Sequence, residues 1–212
     1  MVGEIPPVLG YLTELTVLNL SGNELSGVIP PNFGNLTKLR ELYLNDNVLT
    51  GDLPLEVGTL TRLTQLWLDS NRLEGEIPSE LGNLDKLARL NLQSNELSGD
   101  IPNELGNLAS LTNLNLSGNK LTGEIPLQLG NLSGLRILVL SGNELRGHIP
   151  IELGDLTNLR ELNLHDNRLS GDIPLELGKL TNLARLFLGD NALTGCVPSN
   201  LKEASDIGPY CK

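Results

Sequence analysis

Histidine and cysteine are the scarce, chemically versatile residues of this 212-residue chain, two of each: His148, His165, Cys196 and Cys211. His165 directly precedes Asp166, which makes two neighbouring polar side chains, not a nucleophile, a base and a group orienting that base. No phosphate-cradling loop, nucleophile elbow, dinucleotide fingerprint or metal-ligand spacing occurs, so catalysis is not expected. Carboxylates recur at Asp52, Glu76, Asp100 and Glu124, 24 residues apart. A hard cation needs six or more converging oxygens, and a straight row of acids does not converge; neither a metal nor another cofactor is expected. Aromatic and charged side chains at the same interval are left as the chemistry of the chain. Tyr43 and Trp67 stand 24 apart, with Arg40, Asn45, Asp46, Asp69 and Arg89 near them in sequence register. A second group is Arg160, His165, Arg185 and Phe187.

An interval that constant calls for an element that repeats with it. Asn recurs at Asn23, Asn47, Asn71, Asn95, Asn119, Asn143, Asn167 and Asn191, and Gly from Gly27 to Gly195 in the same step. Pro runs from Pro6 to Pro198, and a second Gly series from Gly10 to Gly178. One unit reads Leu63, Leu66, Leu68, Asn71, Leu73, Gly75, Ile77, Pro78, Leu81, Gly82, Leu84. Leu fills 51 positions while aromatics make up 3%, so one aliphatic type must build the core. A unit of this length cannot bury its apolar face alone, so neighbouring units must stack. The formal charge is −11, which argues against a nucleic-acid partner, since phosphate contacts need an excess of Lys and Arg. No apolar run approaches the roughly 18–20 residues of a membrane-spanning helix.

The unit resembles the leucine-rich repeat, specifically its plant-specific class marked by L-x-G-x-I-P, over residues 3 to about 201. The resemblance implies an α/β solenoid: a right-handed arc with a parallel sheet on the concave side, short lateral strands and 3-10 turns on the convex side. Local patterns agree. The segment Arg40–Asn45 alternates with period two, as a strand with one buried face does. Eight such strands at roughly 4.8 Å span about 40 Å. The Asn series follows each strand, where an amide with two donors and an acceptor can satisfy buried turn groups from coil to coil. Gly-x-Ile-Pro should bend the chain onto the lateral face. Glu56, Glu80, Glu104, Glu152 and Glu176 should sit at the start of the 3-10 turns.

The repeat stops after Leu201, giving an expected solenoid over 1–201 and a capping tail over 202–212. Cys196 occupies a column otherwise filled by Val28, Asp52, Glu76, Asp100, Glu124, His148 and Asp172. A free thiol in that solvent-facing column is a liability, so a Cys196–Cys211 bridge is preferred over two free thiols. It would close a loop of about 15 residues, worth roughly 3 kcal/mol. A disulfide implies an oxidising compartment, hence an extracellular or cell-surface location. Relatives of this class begin with a cysteine-paired cap, which is absent here, so the chain reads as a fragment of a longer one or as a cytosolic protein with a bare end. The apolar edge near Val2, Ile5 and Leu9 is then a site for end-to-end self-association. The four N-x-S/T sequons at Asn19, Asn35, Asn115 and Asn131 belong to the repeat and imply no glycosylation.

Alternation places Asn19, Tyr43, Trp67, Asn91, Asn115, Val139, Asn163 and Phe187 on the exposed strand face. Three of six aromatics fall in this column, and Trp and Tyr are common interface anchors. Five bases and six acids face the same way, so this wall is mixed in charge while the outer columns hold the acidity. A protein or peptide partner suits such a wall. The resemblance points the same way, to receptor ectodomains and secreted inhibitors of hydrolases. Competing readings are a structural or adhesion spacer, cross-strand packing with no ligand, an engineered consensus scaffold, and ice binding. The last would use a Thr column (Thr13, Thr37, Thr61, Thr157, Thr181) that Asp85 and Ala109 interrupt.

Overall fold

The computed structural model describes residues 1–201. The tail expected over 202–212, and with it Cys211 of the expected bridge, lies outside the described residues. Among the described residues no cysteine is free.

Each 24-residue unit makes one coil. A three-residue strand is followed by a turn, a short lateral strand, a Gly-x-Ile-Pro bend and a five-residue 3-10 turn such as Ser79–Asn83. The first strands of eight coils, Val17–Asn19 through Arg185–Phe187, form one parallel sheet in strict sequence order. Register is offset by one full period: Glu41 faces Gln65, Leu42 faces Leu66 and Tyr43 faces Trp67. Parallel strands hydrogen-bond without a slip because each has the same length and each coil the same number of residues. The lateral strands pair only locally, in sheets of two or three. There the chain bends at glycines in the left-handed region, as at Gly99 with φ 75°, a conformation most side chains resist.

Inward residues stack in columns, most of them leucine, with isoleucine in the Gly-x-Ile-Pro column and Phe33 among them. Leu42, Leu66, Leu114 and Leu138 from the long sheet, and Leu81, Leu105, Leu129 and Leu153 from the 3-10 turns, are all 0% exposed. Each such side chain contributes roughly 1.5–3 kcal/mol of burial. The expected glutamates do fall in the first turns of the 3-10 segments.

The Asn series closes the polar side of the stack. Asn95 Nδ2 donates to the carbonyls of Leu68 (3.1 Å), Leu92 (3.1 Å) and Gln93 (3.3 Å), and its Oδ1 accepts from the Leu73 amide at 3.0 Å. Leu68 and Leu73 belong to the preceding coil, so the amide bridges two coils. Asn47 through Asn167 repeat the pattern at 8–9% exposure.

Charged pairs follow the same register. Lys38–Glu14, Lys120–Glu96, Arg168–Glu144 and Lys179–Asp155 each join residues 24 apart. Lys120 holds the Glu96 carboxyl below its ordinary range, first through their hydrogen bond and then through its charge. These pairs are solvent-exposed and add little stability.

At the amino-terminal edge the structure corrects the sequence reading. Ile5 is only 3% exposed and Leu9 packs against the core, because the second coil already covers them. Val2 is exposed as expected, and the apolar edge continues through Val8, Tyr11, Leu12 and Val17.

Candidate functional site

Strand alternation puts Tyr43 and Trp67 on the exposed wall, while Leu42, Leu44, Leu66 and Leu68 point inward at 0% exposure. The two rings pack edge to face, with centroids 6.0 Å apart and an interplanar angle of 63°. Both are half-buried. Tyr43 Oη donates to Glu41 at 3.0 Å and Trp67 Nε1 to Gln65 at 3.3 Å, so both polar tips are held by side chains on their own strands. Burial, followed by the Glu41 hydrogen bond, raises the Tyr43 hydroxyl above its ordinary pKa.

Charges flank this pair in a fixed order. Arg40 and Arg89 stand at the amino-terminal ends of their strands, and Asp46 and Asp69 just beyond the carboxyl-terminal ends. Among the described residues none of these four is in an ion pair. Asp46 sits in the left-handed region at φ 54°. Its column (Gly22, Asp46, Ser70, Ser94, Gly118, Gly142, Asp166, Asp190) has positive φ throughout, which accounts for the preference for Gly, Asp and Ser there. The acid at Asp69 has no such backbone reason.

The second group assembles differently. Arg185 is bound to Glu161, and His165 Nε2 lies 3.3 Å from Asp190. Phe187 is half-buried beside Asn163, its strand partner. Arg185 and His165 are thus held by acids, whereas the charges around Tyr43 and Trp67 are in no ion pair among the described residues. Arg160 is exposed in no ion pair among the described residues. The first strand of the second group stands four coils along from the Trp67 strand, about 20 Å at the strand spacing, so the two groups expected from the sequence stand as separate patches.

A groove of about 1200 Å³ escaped the sequence reading. It runs along the lateral face, over Leu53, Pro54 and Ile77, between Asp52, Glu76 and Asp100 on one side and Glu56 and Glu80 on the other. The two acidic columns were legible in the sequence. The channel between them depends on how sharply Gly-x-Ile-Pro turns, which no residue pattern states.

Comparison with known families matches the model described as Leucine rich repeat over residues 61–121, Leucine Rich repeats (2 copies) over 13–57 and 157–203, and Leucine Rich Repeat over 134–156. Comparison with curated proteins finds no match. Among solved structures, the ectodomain of the Arabidopsis receptor kinase HAESA, in complex with an extended IDA peptide hormone, is similar at 40% identity and a TM-score of 0.90. The match covers 96% of this chain and 34% of the receptor chain, so this chain spans about a third of that relative. A leucine-rich repeat protein of Leptospira interrogans matches at 36% identity and a TM-score of 0.78, over 96% of this chain and 50% of that one. A plant ice-binding protein matches at 31% identity and 0.78, over 100% of this chain and 80% of that one.

Proposed function

The chain belongs to the leucine-rich repeat family, and on that footing we propose that it is a non-catalytic recognition module that holds a protein or peptide partner against the wall of its long sheet. The observation that carries this is the half-buried Tyr43–Trp67 pair with unpaired bases at one end of its strands and unpaired acids at the other. Large aromatics on a solvated strand face cost solubility unless a partner covers them, and interface anchors are drawn from these residue types. The likeness to a peptide-binding receptor ectodomain supports the same reading and an extracellular location. Arg40, Asn45, Asp46, Asp69 and Arg89 are assigned to orienting the partner, and Arg160, His165, Arg185 and Phe187 to a weaker outer contact.

Selection of binders from a displayed peptide library tests the assignment. Tyr43→Ala and Trp67→Ala should each weaken a selected peptide by about 30-fold or more, the effect of losing an interface anchor of about 2 kcal/mol. A partner that binds both variants as tightly as the parent would contradict it.

Ice binding, named for one structural neighbour, fits less well. The positions Thr37, Thr61, Asp85, Ala109, Ser133 and Thr157 are all exposed in one row. The adjacent positions carry Lys38, Arg62 and Lys86, which break the flat, uniform surface that ordering water requires.

A further inference from the structure

Asp69 is the one residue whose side chain leaves a buried polar atom without a partner among the described residues: its Oδ1 is shut off from solvent and accepts no hydrogen bond. An orphaned carboxylate oxygen is costly, and here it is avoidable. Other coils place Ser21, Asn45, Gln93, Ser117, Ser141, His165 or Gly189 at this point, so the position does not demand an acid. The flanking amides could have satisfied it and do not. Asn45 donates to Asp46 at 2.7 Å, and Gln93 Oε1 accepts from Asn115 at 2.8 Å. Trp67 lies two residues back on the same face, with Leu68 buried between them. Asp46 is the neighbour on the preceding coil, its amide bonded to the Asp69 carbonyl at 3.0 Å.

An aromatic face, a neighbouring ring and two unpaired carboxylates are together the recognition elements for a basic side chain. The rings attract a cation through their quadrupole, and a carboxylate accepts its N–H groups in charge-assisted hydrogen bonds. We propose that Asp69, with Trp67, Tyr43 and Asp46, forms a subsite for a basic side chain of the bound partner, and that on binding the Asp69 side chain turns outward so that its buried, unpartnered oxygen accepts the incoming N–H donor. This rests on the recognition reading above and adds the chemistry that one ligand residue must have. Burial holds the Asp69 carboxyl above its ordinary range; a hydrogen bond from its own backbone opposes this and the Asp46 charge adds to it.

Trp67 is the only tryptophan, so its emission reads the subsite directly. At constant ionic strength, N-acetyl-argininamide should change that emission saturably, in the millimolar range. Neutral N-acetyl-citrullinamide should not. Asp69→Asn should weaken the argininamide response at least fivefold while the thermal midpoint holds or rises, because an unpartnered charge is removed. Asp69→Ser, the residue type of three other coils, serves as a second variant should the amide disturb the fold. An equal response to citrullinamide, no response to argininamide, or an unaltered response in both variants overturns the subsite. Selected peptides that are lost on Trp67→Ala yet indifferent to Asp69→Asn would overturn the subsite and leave the recognition reading standing.

Discussion

Asn95→Ala is expected to lower the unfolding free energy by about 2–4 kcal/mol, read from the midpoint of a urea titration. The reason is a buried N–H. The Leu73 N–H donates to Asn95 Oδ1, and Leu73 is 0% exposed, so water cannot replace that acceptor. An orphaned buried donor costs roughly 1–3 kcal/mol. The carbonyls of Leu68 and Leu92 each lose one of two donors, since Asn71 and Asn119 also reach them. Gln93 keeps the Ser70 amide. Those losses are partial and add to the first. Asn95→Asp should do no better, because a carboxylate facing three carbonyls repels where the amide donated. Asn23→Ala is the internal control. Its Oδ1 is bonded to the terminal ammonium at an exposed edge, and the cost there should fall below about 1 kcal/mol. In a quasi-one-dimensional stack each coil is stabilised by its neighbours, so an Asn95 lesion should also broaden the transition by uncoupling the two halves.

The second large effect belongs to the convex glycines. A Cβ on Gly82 would stand 2.5 Å from the Glu104 carbonyl oxygen and 2.7 Å from the Glu104 Cβ. Backbone cannot swing aside as a side chain can, so Gly82→Ala must push two coils apart. Overpacking of this kind costs about 1–3 kcal/mol and more where backbone is the obstacle; a fall of roughly 2–4 kcal/mol is expected in the same titration. Gly178, in the same column, would meet only side-chain atoms of Asn200 and Pro198 at 3.4 Å. Gly178→Ala should therefore lie within about 0.5 kcal/mol of the parent. Equal costs at the two positions would show that the column is set by local conformation and not by the approach of neighbouring coils.

Those two columns mark what sequence could and could not supply. The Asn series is legible in both place and purpose, because an amide after a strand has few other uses. The Gly82 column is legible only as a recurrence. Its purpose lies in the distance between coils, a property of the stack and not of any one unit. The Tyr43–Trp67 contact is legible because residues one period apart on a parallel sheet must touch. What alternation cannot supply is how side chains are engaged. It placed Arg40, Asp69, Arg185 and His165 on one wall alike, yet Arg185 and His165 are tied to Glu161 and Asp190 while Arg40 and Asp69 are left open. At the amino-terminal edge Val2 is exposed as its sequence position implies, whereas Ile5 and Leu9 look bare only when the first coil is read without the second that covers them.

Hydroxyl-radical footprinting with and without a saturating selected peptide is the most direct measurement of where the partner sits. Tyr43 and Trp67 are predicted to lose reactivity on binding, while the exposed Leu127, Ile151 and Leu175 along the lateral rim keep theirs. Protection confined to that rim or to the lateral groove, with the two aromatics as reactive as before, would contradict recognition by the long-sheet wall.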